Sequence, residues 1–191
     1  MENMGASRRD VLKFGLYATC GSLLVPAAIG TAEAGVFKGS NVKNGARHVA
    51  FRNTHTGESF SGVYRVGNKY LPDAFDRINY VLRDHRTGDV FPIDPRLIDI
   101  IHTVHDMTGT NRPYDIISGY RSPKTNNKLR KASSGVAKKS LHMSGQAIDV
   151  RIPDFSTKRV RDIAKSLKAG GVGYYSRSNF VHMDTGDVRS W

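Results

Sequence analysis

The chain has 191 residues, of which 39% are hydrophobic and 24% charged, as suits one globular domain with or without a targeting segment. Its one cysteine, Cys20, excludes an intramolecular disulfide framework and the cysteine-rich structural zinc sites. The net charge of +12 favours an anionic partner: nucleic acid, acidic lipid or an anionic cell-wall polymer. The densest basic cluster contains Lys124, Lys128, Arg130, Lys131, Lys138 and Lys139. Because no aromatic residues interleave with this cluster, it does not favour nucleic acid.

Residues 1–34 predict an export signal of the twin-arginine type. Arg8 and Arg9 open the pattern, a moderately hydrophobic run follows at 14–29, and an Ala-x-Ala cleavage site ends at Ala34. A membrane anchor or a buried helix would be the alternatives, but the apolar run is short and an Ala-x-Ala site follows it. We therefore expect a cleaved signal that leaves no stable membrane insertion.

The chain beyond the predicted signal keeps the basic character of the whole. The signal holds three basic and three acidic residues, so the net charge of +12 lies within 35–191, which also contains no cysteine. This composition suits a compartment outside the cytoplasm. We expect a periplasmic or secreted protein that crosses the membrane already folded. Residues 35–46, rich in Gly, Lys and Asn, predict a flexible lead-in to a single domain over 47–191.

The first half of this domain predicts a hairpin followed by two helices. Short apolar alternations over 47–70, interrupted by Gly-containing turns, are typical of a β-hairpin. Helical spacing of apolar residues predicts a helix over 71–86. A second helix is expected to begin at Asp94-Pro95, which suit the N-cap and first-turn positions, and to end at Gly109.

The second half predicts mainly strands with one inserted helix. A β-branched run at 114–118 indicates a buried strand, whereas the Lys-rich segment 123–139 lacks apolar periodicity and is expected to be a loop or irregular helix. The remaining predicted elements are a strand at 146–152, a helix from Ser156 to about 169, and paired strands at 171–175 and 180–184. Together these patterns predict an α+β fold with a small, mainly antiparallel sheet and helices packed on one side.

Polar residues in three stretches, 118–122, 140–149 and 180–184, point to a metal site. His142 precedes a Gly-containing turn and a strand that carries Asp149, so the turn can bring the imidazole beside the carboxylate. His182, on a neighbouring predicted strand, could supply a third ligand to a tetrahedral zinc ion with one open position. Asp184 lies two residues further on and therefore faces the same side as His182.

Each of these residues also has a purely structural explanation. His142 could be a hydrogen-bonded turn residue, and His182 could be a core histidine with its hydrogen bonds satisfied. Asp149 could pair with Arg151 or Lys165. However, a carboxylate among Ala, Ile and Val costs free energy unless it is paired or binds a metal, which favours the metal site.

These stretches resemble the zinc D-alanyl-D-alanine metallopeptidase superfamily, which also includes lysostaphin-type endopeptidases and the hedgehog signalling domain. The residues that carry the resemblance are Ser-x-His-x-x-Gly-x-Ala-x-Asp at 140–149, His-x-Asp at 182–184 and Ser-Gly-Tyr-Arg-Ser at 118–122. Together with the twin-arginine signal, they make the chain most similar to the murein endopeptidase K group. The resemblance covers roughly 70–191 and the signal segment.

The resemblance implies three zinc ligands: His142, Asp149 and His182. Arg121 would grip a substrate carboxylate or carbonyl oxygen as charge develops, with Ser118 and Ser140 as supporting hydrogen-bonding groups. Zinc would activate a water molecule for attack on a peptide carbonyl. The implied substrate is the stem peptide of bacterial peptidoglycan, cut by an endopeptidase or a carboxypeptidase, and relatives favour links between two diaminopimelate residues.

The sequence departs from the family where a general base is expected. Many relatives place Glu or Asp three residues before the last histidine and a histidine two residues before it, where this chain has Asn179 and Phe180. Asp184 is the predicted base, unless it orients His182 instead or the site has no strong base. The main hypothesis is therefore a zinc peptidase that cleaves peptidoglycan. The alternative is a non-catalytic peptidoglycan-binding module on the same fold, and charge alone supports a nucleic-acid binder.

Overall fold

A computed structural model describes residues 45–133 and 135–191. The predicted export signal and residues 35–44 of the predicted lead-in lie outside the described residues. The described elements are β1 (Ala46–Asn53), β2 (Ser59–Val66), β3 (Lys69–Tyr70), α1 (Pro72–Val81), α2 (Pro95–Thr108), β4 (Tyr114–Ser118), α3 (Pro123–Ala132), a short 3₁₀ helix (Leu141–Ser144), β5 (Ala147–Arg151), α4 (Thr157–Ser166), β6 (Gly171–Tyr175), β7 (Phe180–Asp184) and β8 (Arg189–Ser190). None of these helices is long and apolar enough to span a membrane.

All eight described strands join one mixed sheet, in the order β3-β2-β1-β4-β5-β7-β6-β8. The pairs β1–β4 and β6–β8 are parallel, and the others are antiparallel. The predicted α+β fold with a mainly antiparallel sheet is confirmed, although the sheet is larger than expected. The sheet is larger because the N-terminal hairpin joins the strands of the second half through β1 and β4, a pairing between segments far apart in sequence.

The helices α1, α2 and α4 pack against one face of the sheet. Ile78 of α1, Ile101 of α2 and Val160 of α4 share one hydrophobic core with Ile148 of β5 and Val181 of β7. Burial of such aliphatic side chains contributes about 1.5–3 kcal/mol each. Since side chains alternate between the faces of a strand, the residues next to Ile148 and Val181 in sequence face away from the helices.

The ends of α2 confirm the boundaries that the sequence predicts. The side chain of Asp94 accepts a hydrogen bond from the backbone N–H of Arg96, and Pro95 occupies the first turn. At the other end Gly109 adopts a left-handed conformation with a φ of 67°. Both signals are local, which is why the sequence alone locates them.

Helix α1 ends at Val81, five residues before the predicted end at 86. The cause is Asp84, whose carboxylate accepts hydrogen bonds from the backbone N–H groups of Arg86 and Ser122. An aspartate that bonds to nearby backbone in this way stabilises a turn in competition with the helix.

The expectation of a loop or irregular helix over 123–139 was wrong for its first ten residues, which form α3. Ser122 caps this helix by accepting from the backbone N–H of Thr125, and Pro123 occupies its first turn. The buried face of α3 consists of Thr125 and Asn126 rather than of apolar side chains. A helix with a polar buried face leaves no apolar periodicity in the sequence.

Candidate metal centre

Adjacent strands hold Asp149 and His182 side by side on the sheet face away from the helices. Asp149 of β5 lies directly opposite His182 of β7 in an antiparallel pair. Their neighbours Ile148 and Val181 are fully buried in the hydrophobic core. The alternation of apolar and polar residues on both strands therefore directs the carboxylate and the imidazole to the same side.

The short 3₁₀ helix before β5 brings His142 to the same point. It ends at Gly145, whose φ is 66° and whose position leaves no room for a side chain, since an added Cβ would lie 2.1 Å from the carbonyl oxygen of Pro92. The carbonyl of His142 accepts from the backbone N–H of Arg121. A glycine is thus required at the turn that folds His142 back against the sheet.

The three predicted ligand residues converge with distances that suit a tetrahedral ion. Nε2 of His142 lies 3.3 Å from Oδ1 of Asp149 and 3.3 Å from Nδ1 of His182. Nδ1 of His182 lies 2.9 Å from the same carboxylate oxygen. Ligand bonds of about 2.0–2.1 Å in a tetrahedron separate the ligand atoms by roughly 3.3 Å. All three residues are buried, and the structure brings together the set expected from the sequence.

In each imidazole, the ring nitrogen that points away from the centre forms a hydrogen bond that determines where the ring carries a proton. Nδ1 of His142 donates to the carbonyl oxygen of Gly119 at 2.8 Å, and Nε2 of His182 donates to Oδ2 of Asp184 at 2.9 Å. Because a carbonyl and a carboxylate only accept, these outer nitrogens carry the protons. When both rings are neutral, the inner nitrogens present lone pairs to each other and to Asp149, and this set of three converging acceptors can hold a cation.

Burial and charge both shift the ionisation of the centre. Burial lowers the pKa of His142, which favours the neutral imidazole that metals bind. Burial opposes the charge on His182, but hydrogen bonds to Asp149 and Asp184 outweigh it and raise the pKa of His182 to about 9. Burial likewise disfavours the charged form of Asp149, yet the two imidazoles hold the pKa of Asp149 below its ordinary value. The site thus favours positive charge at its centre.

The carboxylate of Asp184, the predicted base, is saturated with hydrogen bonds. Its Oδ2 accepts from His182 and, at 2.7 Å, from Arg189. Its Oδ1 accepts from the backbone N–H groups of Gly171 and Gly186 and from Arg189. The Asp184 side chain is fully buried, and although burial opposes ionisation, these donors lower the pKa of Asp184. A carboxylate held in this way is a poor proton acceptor.

Arg121 contacts the metal centre through Asp149. Its Nη2 donates to Oδ2 of Asp149 at 3.0 Å and to the hydroxyl of Ser118 at 3.1 Å. Ser118 therefore supports the arginine rather than lining the cleft, whereas Ser140 lines the cleft beside His142. Asn179, at the position where relatives carry a base, lies in the turn before β7 and accepts a hydrogen bond from the Thr157 hydroxyl.

Sequence reasoning missed Arg189 and Trp191, which complete one side of the centre. Arg189 forms a two-pronged ion pair with Asp184, and the Trp191 ring packs with its centroid 5.3 Å from that of His182. Two glycines of β6 leave room for them: a Cβ on Gly171 would lie 2.5 Å from Arg189, and one on Gly173 would lie 2.6 Å from Trp191. The Gly-x-Gly alternation beside the His-x-Asp strand was the sequence signal for this packing.

The centre opens into a cleft of about 530 Å³. One part of its lining is an aromatic cluster, in which Tyr175 stacks on Phe180 and accepts a hydrogen bond from the indole N–H of Trp191. The segment after α3, including Lys139, also lines the cleft. Among the described residues that line it, the carboxylates are Asp149 and Asp184. The cleft therefore joins the buried candidate metal site to apolar and basic surfaces.

Comparison with known proteins identifies the relatives of this chain. Residues 41–191 match the family model described as peptidoglycan L,D-endopeptidase MepK. The peptidoglycan L,D-endopeptidase MepK of Escherichia coli K12 is 40% identical over 191 residues, which is 100% of both chains. The probable peptidoglycan L,D-endopeptidase MepK of Haemophilus influenzae Rd is 42% identical over 146 residues, covering 76% of this chain and 78% of the relative.

Among solved structures, the L-Ala D-Glu endopeptidase ChiX of Serratia marcescens aligns with a TM-score of 0.32 at 18% identity, over 40% of this chain and 62% of the other. The family match spans most of the chain, and the sequence identity to the Escherichia coli relative extends over its full length. The resemblance to the murein endopeptidase K group is thus confirmed. The chain belongs to the peptidoglycan L,D-endopeptidase MepK family.

Proposed function

We propose that this protein is a zinc-dependent endopeptidase that cleaves peptide cross-links of bacterial peptidoglycan. The observation that carries the proposal is the convergence of three buried acceptor atoms, from His142, Asp149 and His182, at distances that fit one tetrahedral ion. Membership of a family whose relatives are named peptidoglycan L,D-endopeptidases supports the substrate class.

The donor set fits zinc better than the other common divalent ions. Two imidazole nitrogens and one carboxylate oxygen are typical zinc ligands, whereas Ca²⁺ and Mg²⁺ prefer oxygen ligands. Three protein ligands are also the number found in catalytic zinc sites, in which water or substrate completes the coordination. When bound, zinc supplies Lewis acidity and lowers the pKa of a water ligand to about 7.

We assign Arg121 two tasks. Its Nη2 holds Oδ2 of Asp149, which leaves Oδ1 facing the two imidazoles. Its Nη1 forms no hydrogen bond to any described residue, and the side chain lines the cleft. This free amino group binds a substrate carboxylate or the carbonyl oxygen on which charge develops. Ser140, beside His142 in the cleft, is assigned to hydrogen bonding with substrate.

The hydrogen bonds of Asp184 favour an orienting role over the role of general base. By accepting from Nε2 of His182, Asp184 keeps Nδ1 of that ring unprotonated and directed at the centre. To accept a proton, Asp184 would have to give up a hydrogen bond from Arg189, His182 or the backbone. Partners of this kind change metal affinity by about 10–100-fold when they are removed.

We further propose that the scissile bond is the L,D link between two diaminopimelate residues. The names of the relatives specify L,D-endopeptidase activity, which supports an L,D bond. The predicted twin-arginine signal supports action in the periplasm, where peptidoglycan lies. Stem peptides carry free carboxylates, which suit a chain with a net charge of +12.

The test is digestion of purified sacculi by the protein, with the released fragments separated by chromatography and identified by mass. We expect cross-linked muropeptides to disappear, and this loss to be abolished by a chelator and restored by added zinc. Diaminopimelate links should be lost preferentially if the proposed bond is correct. Intact sacculi that sediment with the protein and release no fragments would instead establish the non-catalytic binding module.

A further inference from the structure

The positive charge of the chain is concentrated in one stretch that the metal centre does not use. Between Asp115 and Asp149 lie 33 residues with no Asp or Glu and with seven Lys or Arg. Of these seven, Arg121 pairs with Asp149. None of the other six forms an ion pair with a described residue, whereas ten arginines of the described residues form such pairs.

Helix α3 arranges part of this charge on an exposed face. Lys124 and Lys128 lie four residues apart, on the same side of the helix, and both are exposed. The opposite side, with Thr125 and Asn126, is buried. The two ammonium groups would repel each other, so their juxtaposition costs stability in the absence of an anion.

Lys124 and Lys128 line a second concavity of about 590 Å³, together with Arg86 from the turn after α1. Its remaining lining is Thr87, Thr125 and Asp89, so the concavity keeps a net positive charge and contains no aromatic ring on which a nucleic-acid base could stack. Lys124, Lys128 and Arg86 together form the basic surface.

The basic surface is joined to the metal centre through two consecutive residues. Arg121 contacts Asp149, and the next residue, Ser122, caps α3 and accepts a hydrogen bond from the Thr87 hydroxyl at 3.5 Å. Lys139, from the same acid-free stretch, lines the metal cleft itself. The basic surface and the metal cleft are therefore neighbours along the chain.

We infer that the basic surface binds carboxylates of peptidoglycan stem peptides next to the cross-link that occupies the metal cleft. This inference rests on the proposed function. Carboxylates repeated along a polymer suit several exposed cations, because each contact is weak but together they raise the local concentration of substrate and its association rate. The surface thus favours intact sacculi over small soluble fragments.

The experiment compares two charge-reversed proteins. The test variant is Lys124→Glu with Lys128→Glu, and the control is Lys158→Glu with Lys165→Glu. The control lysines are exposed on α4 and line neither the metal cleft nor the basic surface. Both proteins change by the same net charge. The readouts are co-sedimentation with sacculi at low and high salt, and cleavage rates on sacculi and on a soluble cross-linked muropeptide dimer.

We expect the test variant to bind sacculi about tenfold more weakly than the control at low salt, with the difference shrinking at high salt. Its ratio of sacculus cleavage to dimer cleavage should fall by a similar factor. Equal sedimentation and equal cleavage ratios for the two variants would overturn the inference while leaving the proposed function intact. A test variant that loses affinity for duplex DNA but keeps its affinity for sacculi would also overturn it.

The two proposals fail in different ways. If the unmodified protein cleaves neither sacculi nor dimers, the proposed function fails, and sedimentation still decides whether the basic surface binds the polymer. Circular dichroism of both variants should match that of the unmodified protein, because the four lysines are exposed.

Discussion

Two carboxylates in different parts of the molecule show what distinguishes a candidate metal site from an internal ion pair. Asp99 of α2 accepts hydrogen bonds from the hydroxyls of Tyr64 and Tyr70 and from the guanidinium groups of Arg47 and Arg65. Each of these partners donates a hydrogen bond, so the Asp99 carboxylate is satisfied without a bound ion.

The surroundings of Asp149 differ in kind. Its Oδ2 accepts from Arg121, but its Oδ1 faces Nε2 of His142 and Nδ1 of His182, which are both acceptors when the two rings are neutral, because their outer nitrogens donate to Gly119 and Asp184. A half-buried carboxylate surrounded by donors stabilises the fold. A buried carboxylate that faces two imidazole nitrogens can hold a cation together with them, and this difference makes the second cluster the candidate metal site.

The most damaging change should be His142→Ala. It removes one of three ligands, so zinc binding and peptidoglycan cleavage should both fall by more than the roughly 10–100-fold expected for a residue that only orients a ligand. Zinc affinity measured against a competing chelator, together with muropeptide analysis, checks this expectation. If the His142→Ala variant binds zinc with unchanged affinity, zinc does not bind at the point where His142, Asp149 and His182 converge.

The next largest effect should come from Asp184→Asn. An amide at this position weakens the ion pair with Arg189 and no longer dictates which nitrogen of His182 carries the proton. We expect zinc affinity to fall about 10–100-fold, with cleavage partly restored by excess zinc. Loss of cleavage at unchanged zinc affinity would instead identify Asp184 as the general base.

Asp99→Asn should affect stability alone. It weakens hydrogen bonds to two arginines and two tyrosines, so the free energy of unfolding should fall by about 2 kcal/mol. Urea denaturation measures this loss, and zinc affinity of the folded variant should not change. A large drop in zinc affinity would show that the Asp99 cluster and the candidate metal site are coupled.

The smallest effect concerns acid stability through Asp84. Burial opposes its ionisation, but hydrogen bonds from Thr125 and Ser122 lower the pKa of Asp84 in the folded state. A depressed folded pKa contributes stability above the unfolded pKa, near 4, and this contribution is lost as the pH falls further. Between pH 5 and 3, unmodified protein should therefore lose about 1 kcal/mol more than Asp84→Asn. Urea denaturation at the two pH values measures these losses. If the unmodified protein and Asp84→Asn lose the same free energy of unfolding between pH 5 and 3, Asp84 does not have this role.

Local sequence signals were enough to predict most of the metal centre. The alternation in β5 and β7 determines which side chains face away from the core, and the glycine at 145 permits the turn that returns His142 to the sheet. The caps of α2 are equally local.

Contacts between segments that are far apart in the chain could not be predicted from the sequence. The partners of Asp184 include Arg189, whose position depends on the parallel pairing of β8 with β6. The number of strands in the sheet depends on the pairing of β1 with β4. The buried face of α3 consists of polar residues, so it could not be recognised from an apolar pattern. In each case no periodic pattern of apolar residues indicates which segments meet.

The most direct test is a crystal structure of protein purified without added metal, with diffraction data collected on both sides of the zinc absorption edge. The expected result is one anomalous peak at about 2.0–2.2 Å from Nε2 of His142, Oδ1 of Asp149 and Nδ1 of His182. The absence of a peak among these three atoms, in crystals grown with excess zinc, would contradict it.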